Sequence, residues 1–160
     1  TNSGFVRVAK ERLKGGFEAA EREVLEPFPL GGVILSAVSE NGDEAREATR
    51  GPTATYVVNK VKNIQNDEIL TSSGLSEDVL EPLRASVRNG EVDLTDKITD
   101  EIMRQFNVVS GTPDECAVIL QELIDAGLNL PLMEVVGKTP EQNLQTIRLL
   151  GERVLPKIKF

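Results

Sequence analysis

The sequence has 160 residues, 39% of them hydrophobic and 28% charged, with a formal net charge of −8. That length carries one ordinary core, and the composition is that of a globular chain, neither disordered nor membrane-spanning. The acidic balance argues against nucleic acid as the main partner, because phosphate binding needs a basic surface. No apolar run approaches the roughly 20 residues that cross a bilayer.

The residue inventory narrows the chemistry. Histidine and tryptophan are absent, and there is one cysteine, Cys116. Neither a Ser-His-Asp nor a Cys-His arrangement can be built, and no His-rich zinc site. No carboxylate spacing singles out a metal ligand. A lone cysteine excludes an internal disulfide framework and fits a reducing, cytoplasmic setting. No signal peptide is expected before the first helix-like segment. The chain opens with Thr1 rather than methionine, which suggests an upstream part.

Phe5 to Glu23 comes first. Phe5, Val8, Ala9, Leu13, Phe17 and Ala20 recur at spacings of mostly three and four, predicting a helix that Gly15-Gly16 weakens. Pro27 and Pro29 mark a linker. Gly31 to Val38 (GGVILSAV) is the best strand; its near-continuous apolarity suggests a parallel sheet buried on both faces.

From Asn41 the pattern is helical for some seventy residues. Asn41 is a cap with Glu44 three residues on. Arg50-Gly51-Pro52 is expected to interrupt the helix, with Pro52 opening a second one through Tyr56, Val57 and Val61. Thr71 to Gly74 reads as a loop, Ser76 to Val87 as a helix, and Thr95 to Phe106 as another.

Thr112-Pro113-Asp114-Glu115 and Thr139-Pro140-Glu141-Gln142 share one pattern: a capping threonine, proline at the first helical position, and Glu or Gln at the third. They open the expected helices Cys116–Ala126 and Asn143–Val154. Gly127 ends the first of these as a left-handed cap. Leu130 to Val136 (LPLMEVV) reads as a second strand. This order is that of an αβα unit with right-handed crossovers, hence an α/β fold of about two parallel strands with a helical insertion over 41–106.

The block Asn107 to Glu115, followed by Leu123-Ile124-Asp125-Ala126-Gly127, resembles the end of the luciferase-like flavin and deazaflavin oxidoreductases. In that family a Gly-Thr-Pro-acid-acid motif opens the penultimate barrel helix, and the closing helix ends in a phrase like Glu152-Arg153-Val154-Leu155-Pro156. The order of elements is most similar to the methylenetetrahydromethanopterin reductases, which use coenzyme F-420. Thr1-Asn2-Ser3 then corresponds to a strand-end loop, and Asp93 to Phe106 to the acidic helix before Gly-Thr-Pro. The resemblance implies the C-terminal part of a TIM (β/α)8 barrel, holding about the last two of eight strands in one domain over 1–160. A closed barrel takes roughly 250 residues.

The implied activity is hydride transfer from a reduced deazaflavin (coenzyme F-420) to a C1-carrying pterin, in a catalytic unit incomplete within this stretch. An FMN-dependent luciferase-like monooxygenase is the enzymatic alternative, and a non-catalytic helical interaction module the other. Association with an N-terminal half, or a homo-oligomer, is expected.

In such barrels ligands occupy the C-terminal ends of the strands. Thr1, Asn2 and Ser3 are therefore the candidate cofactor-binding residues, through hydroxyl and amide groups on a phosphate; the plain alternative is a helix cap or chain terminus. Glu134 and Gly137, at the end of the second strand, are the candidate substrate-binding residues. Gly137-Lys138 would allow close approach of a phosphate or glutamyl tail; otherwise they are a solvated carboxylate and a turn. Ser36 and Ser39 have the same standing at the first strand. Cys116 reads as core packing, and no catalytic residue is assigned.

Overall fold

The computed structural model describes residues 2–23, 28–62, 67–72, 74–106 and 108–159. The first helix, α1, spans Ser3–Ala19 and runs through Gly15 and Gly16. Strand β1 is Gly31–Val38. Four helices follow: α2 (Gly42–Lys62), α3 (Asp67–Ser72), α4 (Glu77–Arg88) and α5 (Asp100–Gln105). Next come β2 (Val108–Gly111), α6 (Pro113–Asp125), β3 (Leu130–Val135) and α7 (Pro140–Leu149). A π-helical turn, Leu150–Val154, continues α7.

The expected helix at Pro52 differs from the observed one: α2 is a single helix with Pro52 inside it. A proline there removes one backbone hydrogen bond and costs about 3 kcal/mol in an isolated helix. Tertiary burial offsets that cost. Ala45 and Thr49 before the proline, and Ala54, Val57 and Val58 after it, are all buried. The Thr53 hydroxyl donates to the Thr49 carbonyl at 2.7 Å, holding the turn that contains the proline. Thr95–Phe106 is likewise not one helix but a 3-10 turn, Thr95–Lys97, and then α5, capped by Thr99. Thr71 and Ser72, read as loop, close α3.

The sheet has three parallel strands in the order β2-β1-β3. Its third strand, β2, adds to the two expected. β1 carries β3 along Gly31–Ser36 and β2 along Leu35–Val38. Successive side chains alternate between faces. Ile34 and Val38, with Val109, Met133 and Val135, join one core with Val6, Leu120, Leu123, Leu149 and Val154. Leu35 and Val108 join a second core with Val57, Leu80, Leu83, Ile98 and Phe106. Helices α1, α6 and α7 thus cover one face. The α2–α5 run covers the C-terminal part of the other.

Cys116, fully buried in the first core, is pushed up to about 12 by burial and by the neighbouring Glu115. A protonated, enclosed thiol does not attack. The native protein is expected to resist an aromatic disulfide reagent at pH 8, and to react fully in denaturant. Rapid native labelling would contradict the burial.

Candidate functional site

The C-terminal ends of the three strands, at Val38, Gly111 and Val135, open on one side of the sheet, where parallel α/β proteins place ligands. The later residues of α1 lie at the opposite end of the sheet: Phe17 stacks edge-on with Phe28, just before β1, and Lys10 lies against Gly127, just before β3. Asn2 and Ser3 stand at the other end of this 17-residue helix, which is about 25 Å long.

Each candidate residue has a definite place. Thr1 lies outside the described residues. Asn2 caps α1, its Oδ1 accepting the Phe5 N–H at 2.7 Å, and Ser3 is the first helical residue. Asn2 therefore does the structural task of a cap. Ser36 is fully buried, donating to the Ile34 carbonyl at 3.0 Å. Ser39 donates to Glu44 Oε2 at 3.0 Å and accepts the Asn41 N–H at 3.2 Å. Both serines are consumed internally. Glu134 is exposed on β3, on the same face as Leu130 and Leu132.

Gly137 is where β3 turns into α7, and its lack of a side chain matters. A Cβ there would lie 2.7 Å from Asn143 Oδ1 and 3.0 Å from Gln142 Cβ. Thr146 then fastens α7 to the end of β1, its Oγ1 accepting the Val38 N–H at 3.1 Å. Between this turn and α2 runs a groove of about 520 Å³, lined by Glu47, Gly51, Val136, Gly137, Lys138 and Asn143 among others.

A chain of polar contacts holds these ends in register. Gln142 accepts the Lys138 N–H at 2.7 Å and donates to Glu44 at 2.9 Å. Thr139 caps α7, as expected, by accepting the Gln142 N–H at 3.3 Å. The reciprocal bond expected of Gln142 is replaced by the contact to Lys138, because its amide also has to reach Glu44 on α2. Lys138 Nζ lies 3.4 Å from Glu47, Arg50 Nε 3.3 Å from Glu47, and Arg50 Nη2 2.9 Å from Asp100. Arg46 reaches Asp43 at 2.7 Å, Asp100 at 3.4 Å and Glu115 at 3.2 Å.

The hydrogen bond that Arg46 donates to Asp43 is the main reason its guanidinium holds its proton above the usual range; burial opposes it and Glu115 adds to it. Exposed pairs of this kind contribute about 0–1 kcal/mol each, so the network positions α2 more than it stabilises the fold. Sequence reading missed it. Asp43, Arg46, Glu47 and Arg50 do share one helix face, but such a pattern is ordinarily a solvated face.

The other end of the network is the Thr112 capping box, with both reciprocal bonds present. Glu115 accepts the Thr112 N–H at 2.7 Å. That bond is the first cause of its lowered pKa; burial opposes it, while the Thr112 hydroxyl and Arg46 reinforce it. A carboxylate depressed on folding contributes stability that is present above its unfolded pKa and lost as pH falls through its folded value. Stability is therefore expected to fall on acidification below about pH 4, and Glu115→Gln to flatten that fall. Identical acid titrations of the two proteins would remove Glu115 from the response.

Among the described residues no group of His, Cys, Asp and Glu forms a metal site, and no helix is long and apolar enough to cross a membrane.

No family model matches the chain. The sequence is 25% identical over 161 residues to a 5,10-methylenetetrahydromethanopterin reductase of Methanopyrus kandleri, covering 99% of this chain and 43% of that one. The solved structure of the coenzyme F420-dependent tetrahydromethanopterin reductase from Methanopyrus kandleri matches with a TM-score of 0.68 at 23% identity, over 99% of this chain and 44% of that one. The chain thus spans less than half the length of the relative it matches. The likeness shows the fold: a helix-rich, parallel α/β piece corresponding to the C-terminal part of a TIM-barrel reductase.

Proposed function

We propose that this chain supplies the C-terminal strands and the adjoining ligand-binding loops of a coenzyme F-420-dependent oxidoreductase, which passes hydride to a C1-carrying pterin such as methylenetetrahydromethanopterin. The observation that carries the reading is the match to one such reductase, in sequence and in fold, along 99% of this chain. When bound, the reduced deazaflavin would supply the hydride.

The residues present fit that role in part. Ser3 and the first N–H groups of α1, with the side-chain amide of Asn2, offer donors to a cofactor phosphate at a helix N-terminus. Glu134 projects from the apolar face of β3 as an acceptor for the N–H groups of a pterin ring. Gly137 allows a ligand to approach the backbone between β3 and α7, and Glu47 and Lys138 flank that approach. The α2–α5 run, within 41–106, is an insertion at the mouth that shields the reacting centres from water.

The test uses protein purified from its source, given reduced coenzyme F-420 and methylenetetrahydromethanopterin, with recovery of the oxidised deazaflavin spectrum as the readout. Pterin-dependent oxidation is expected. Turnover with reduced FMN and dioxygen instead would make it a luciferase-like monooxygenase, and no turnover with either would favour a helical interaction module.

A further inference from the structure

The outer side of the last helix carries apolar side chains that the fold itself does not use. Thr146 and Leu149 of α7, with Leu150 and Val154 of the π-helical turn, are buried. Leu144 and Ile147 are 68% and 56% exposed, and Leu155, in the 3-10 turn that follows, is 43% exposed. At about 3.6 residues per turn, Leu144, Arg148 and Gly151 lie on the side of the helix opposite the buried stripe. That side faces away from the sheet, so a strand added at either edge of the sheet leaves it bare.

These positions form a seam. Leu144, Arg148, Gly151 and Leu155 follow one another at spacings of four, three and four, the alternation by which one helix lies along another. Nothing beyond the neighbouring turns of its own helix comes within 4 Å of the position a Gly151 Cβ would take, which leaves a notch in the seam. Beside it, Arg148 Nε lies 3.5 Å from Glu152, and both side chains are largely exposed. An exposed pair in this order, with the cation on the N-terminal side, contributes little to its own helix. Either member can therefore exchange partners at small cost. The charges are also unevenly placed along the helix: Glu141 stands in its first turn, and Lys157 and Lys159 follow its end.

We propose that this seam pairs α7 antiparallel with α7 of a second copy of the chain, about a two-fold axis between residues 149 and 150. Leu144 then meets the partner's Leu155. The stem of Arg148 fills the notch at the partner's Gly151, and its guanidinium reaches the partner's Glu152. Each contact recurs once by symmetry. Charge complementarity selects this occupant: run the other way, the same helix sets an anion beside Arg148, a cation beside Glu152, and lysines beside Glu141. Four seam residues per chain make less than a standard interface, so the pair is weak and dissociates on dilution. It stands independently of the hydride-transfer reading.

Gly151→Cys, placed in the intact protein in its native host, is expected to link two copies under mild oxidation. Across the proposed axis the two Cα atoms fall within the reach of a disulfide, about 7 Å or less, and mass spectrometry should find residue 151 joined to residue 151. The native Cys116 is buried and does not compete. In sedimentation velocity, Leu144→Glu should weaken self-association by about tenfold or more. Val118→Glu, a similarly exposed change on α6, should not. Arg148→Glu and Glu152→Arg should each weaken it alone, because each sets like charges across the axis. An equal mixture of those two variants should recover it, since the two chains then complement each other. Mixing leaves the repulsion within each helix unchanged, so recovery reports the contact between chains alone. A link from residue 151 to any other peptide, no link at all, or a mixture no more associated than its components would overturn the inference.

Discussion

Gly111→Ala is expected to lower the unfolding free energy by about 2–4 kcal/mol, through strain of roughly 1–3 kcal/mol and damage to a cap worth roughly 1. Gly111 has φ +145°, a conformation that side chains rarely adopt. An added Cβ would lie 2.6 Å from Glu115 Oε2 and 3.2 Å from Glu115 Cβ. The carboxylate cannot simply swing aside, because it holds both the Thr112 N–H and the Thr112 hydroxyl. Urea titration of the single variants and of Gly111→Ala/Glu115→Ala separates the two costs. The double variant should lose less than the sum of the two single variants, since the contact with Oε2 is gone while the backbone strain, the 3.2 Å approach to the Cβ of residue 115 and the lost cap bonds remain. A single-variant effect below about 0.5 kcal/mol, the size of an ordinary surface change, would sink the account.

The same geometry explains which features were readable in advance. Thr112, Pro113 and Glu115 announce a helix start because each answers a backbone need within four residues. Gly127, at φ +113°, announces the helix end for the same reason: its N–H bonds the Ile124 carbonyl at 2.8 Å, and the following Leu128 N–H bonds Leu123 at 3.1 Å. GGVILSAV reads as a buried strand because its apolar run needs no partner to be recognised. β2 was not readable. It is four residues long, two of them Ser110 and Gly111, and it is buried because α2 arrives from a distant part of the chain and α6 folds back against it. Pro52 misleads for a related reason: local propensity opposes the helix, and tertiary burial overrides it.

The candidate site divides along the same line. The positions of Glu134 and Gly137 follow from where β3 must end. Asn2 and Ser3, expected in a strand-end loop, open α1, and Asn2 serves as its cap. The contacts that connect these ends could not be read. Gln142 meets Glu44 across 98 residues, and Lys138 meets Glu47 across 91. Sequence spacing marks partners within one element; it does not mark partners that only the sheet brings together.

Leu80→Ala is expected to cost about 2–5 kcal/mol and to loosen the sheet as well as α4. Leu80 is fully buried, in a core that includes Leu35 of β1 and Val108 of β2. Truncating it leaves a cavity in the core that those strand residues share with α2 and α4. Hydrogen exchange on the variant should therefore show protection falling in Gly31–Val38 by about as much as in Glu77–Arg88. Leu120→Ala, on the opposite face, should produce the same coupled fall, since Ile34 and Leu35 belong to one strand but to different cores. If Leu80→Ala loosened only residues 42–106, that run would open as a separate unit, and β1 would not be the shared wall of the two cores. The coupling matters at the strand ends, because the groove beside Gly137 has one wall on α2 and the other on the β3–α7 turn. A sheet that opens with its helical cover cannot hold those walls at a fixed separation.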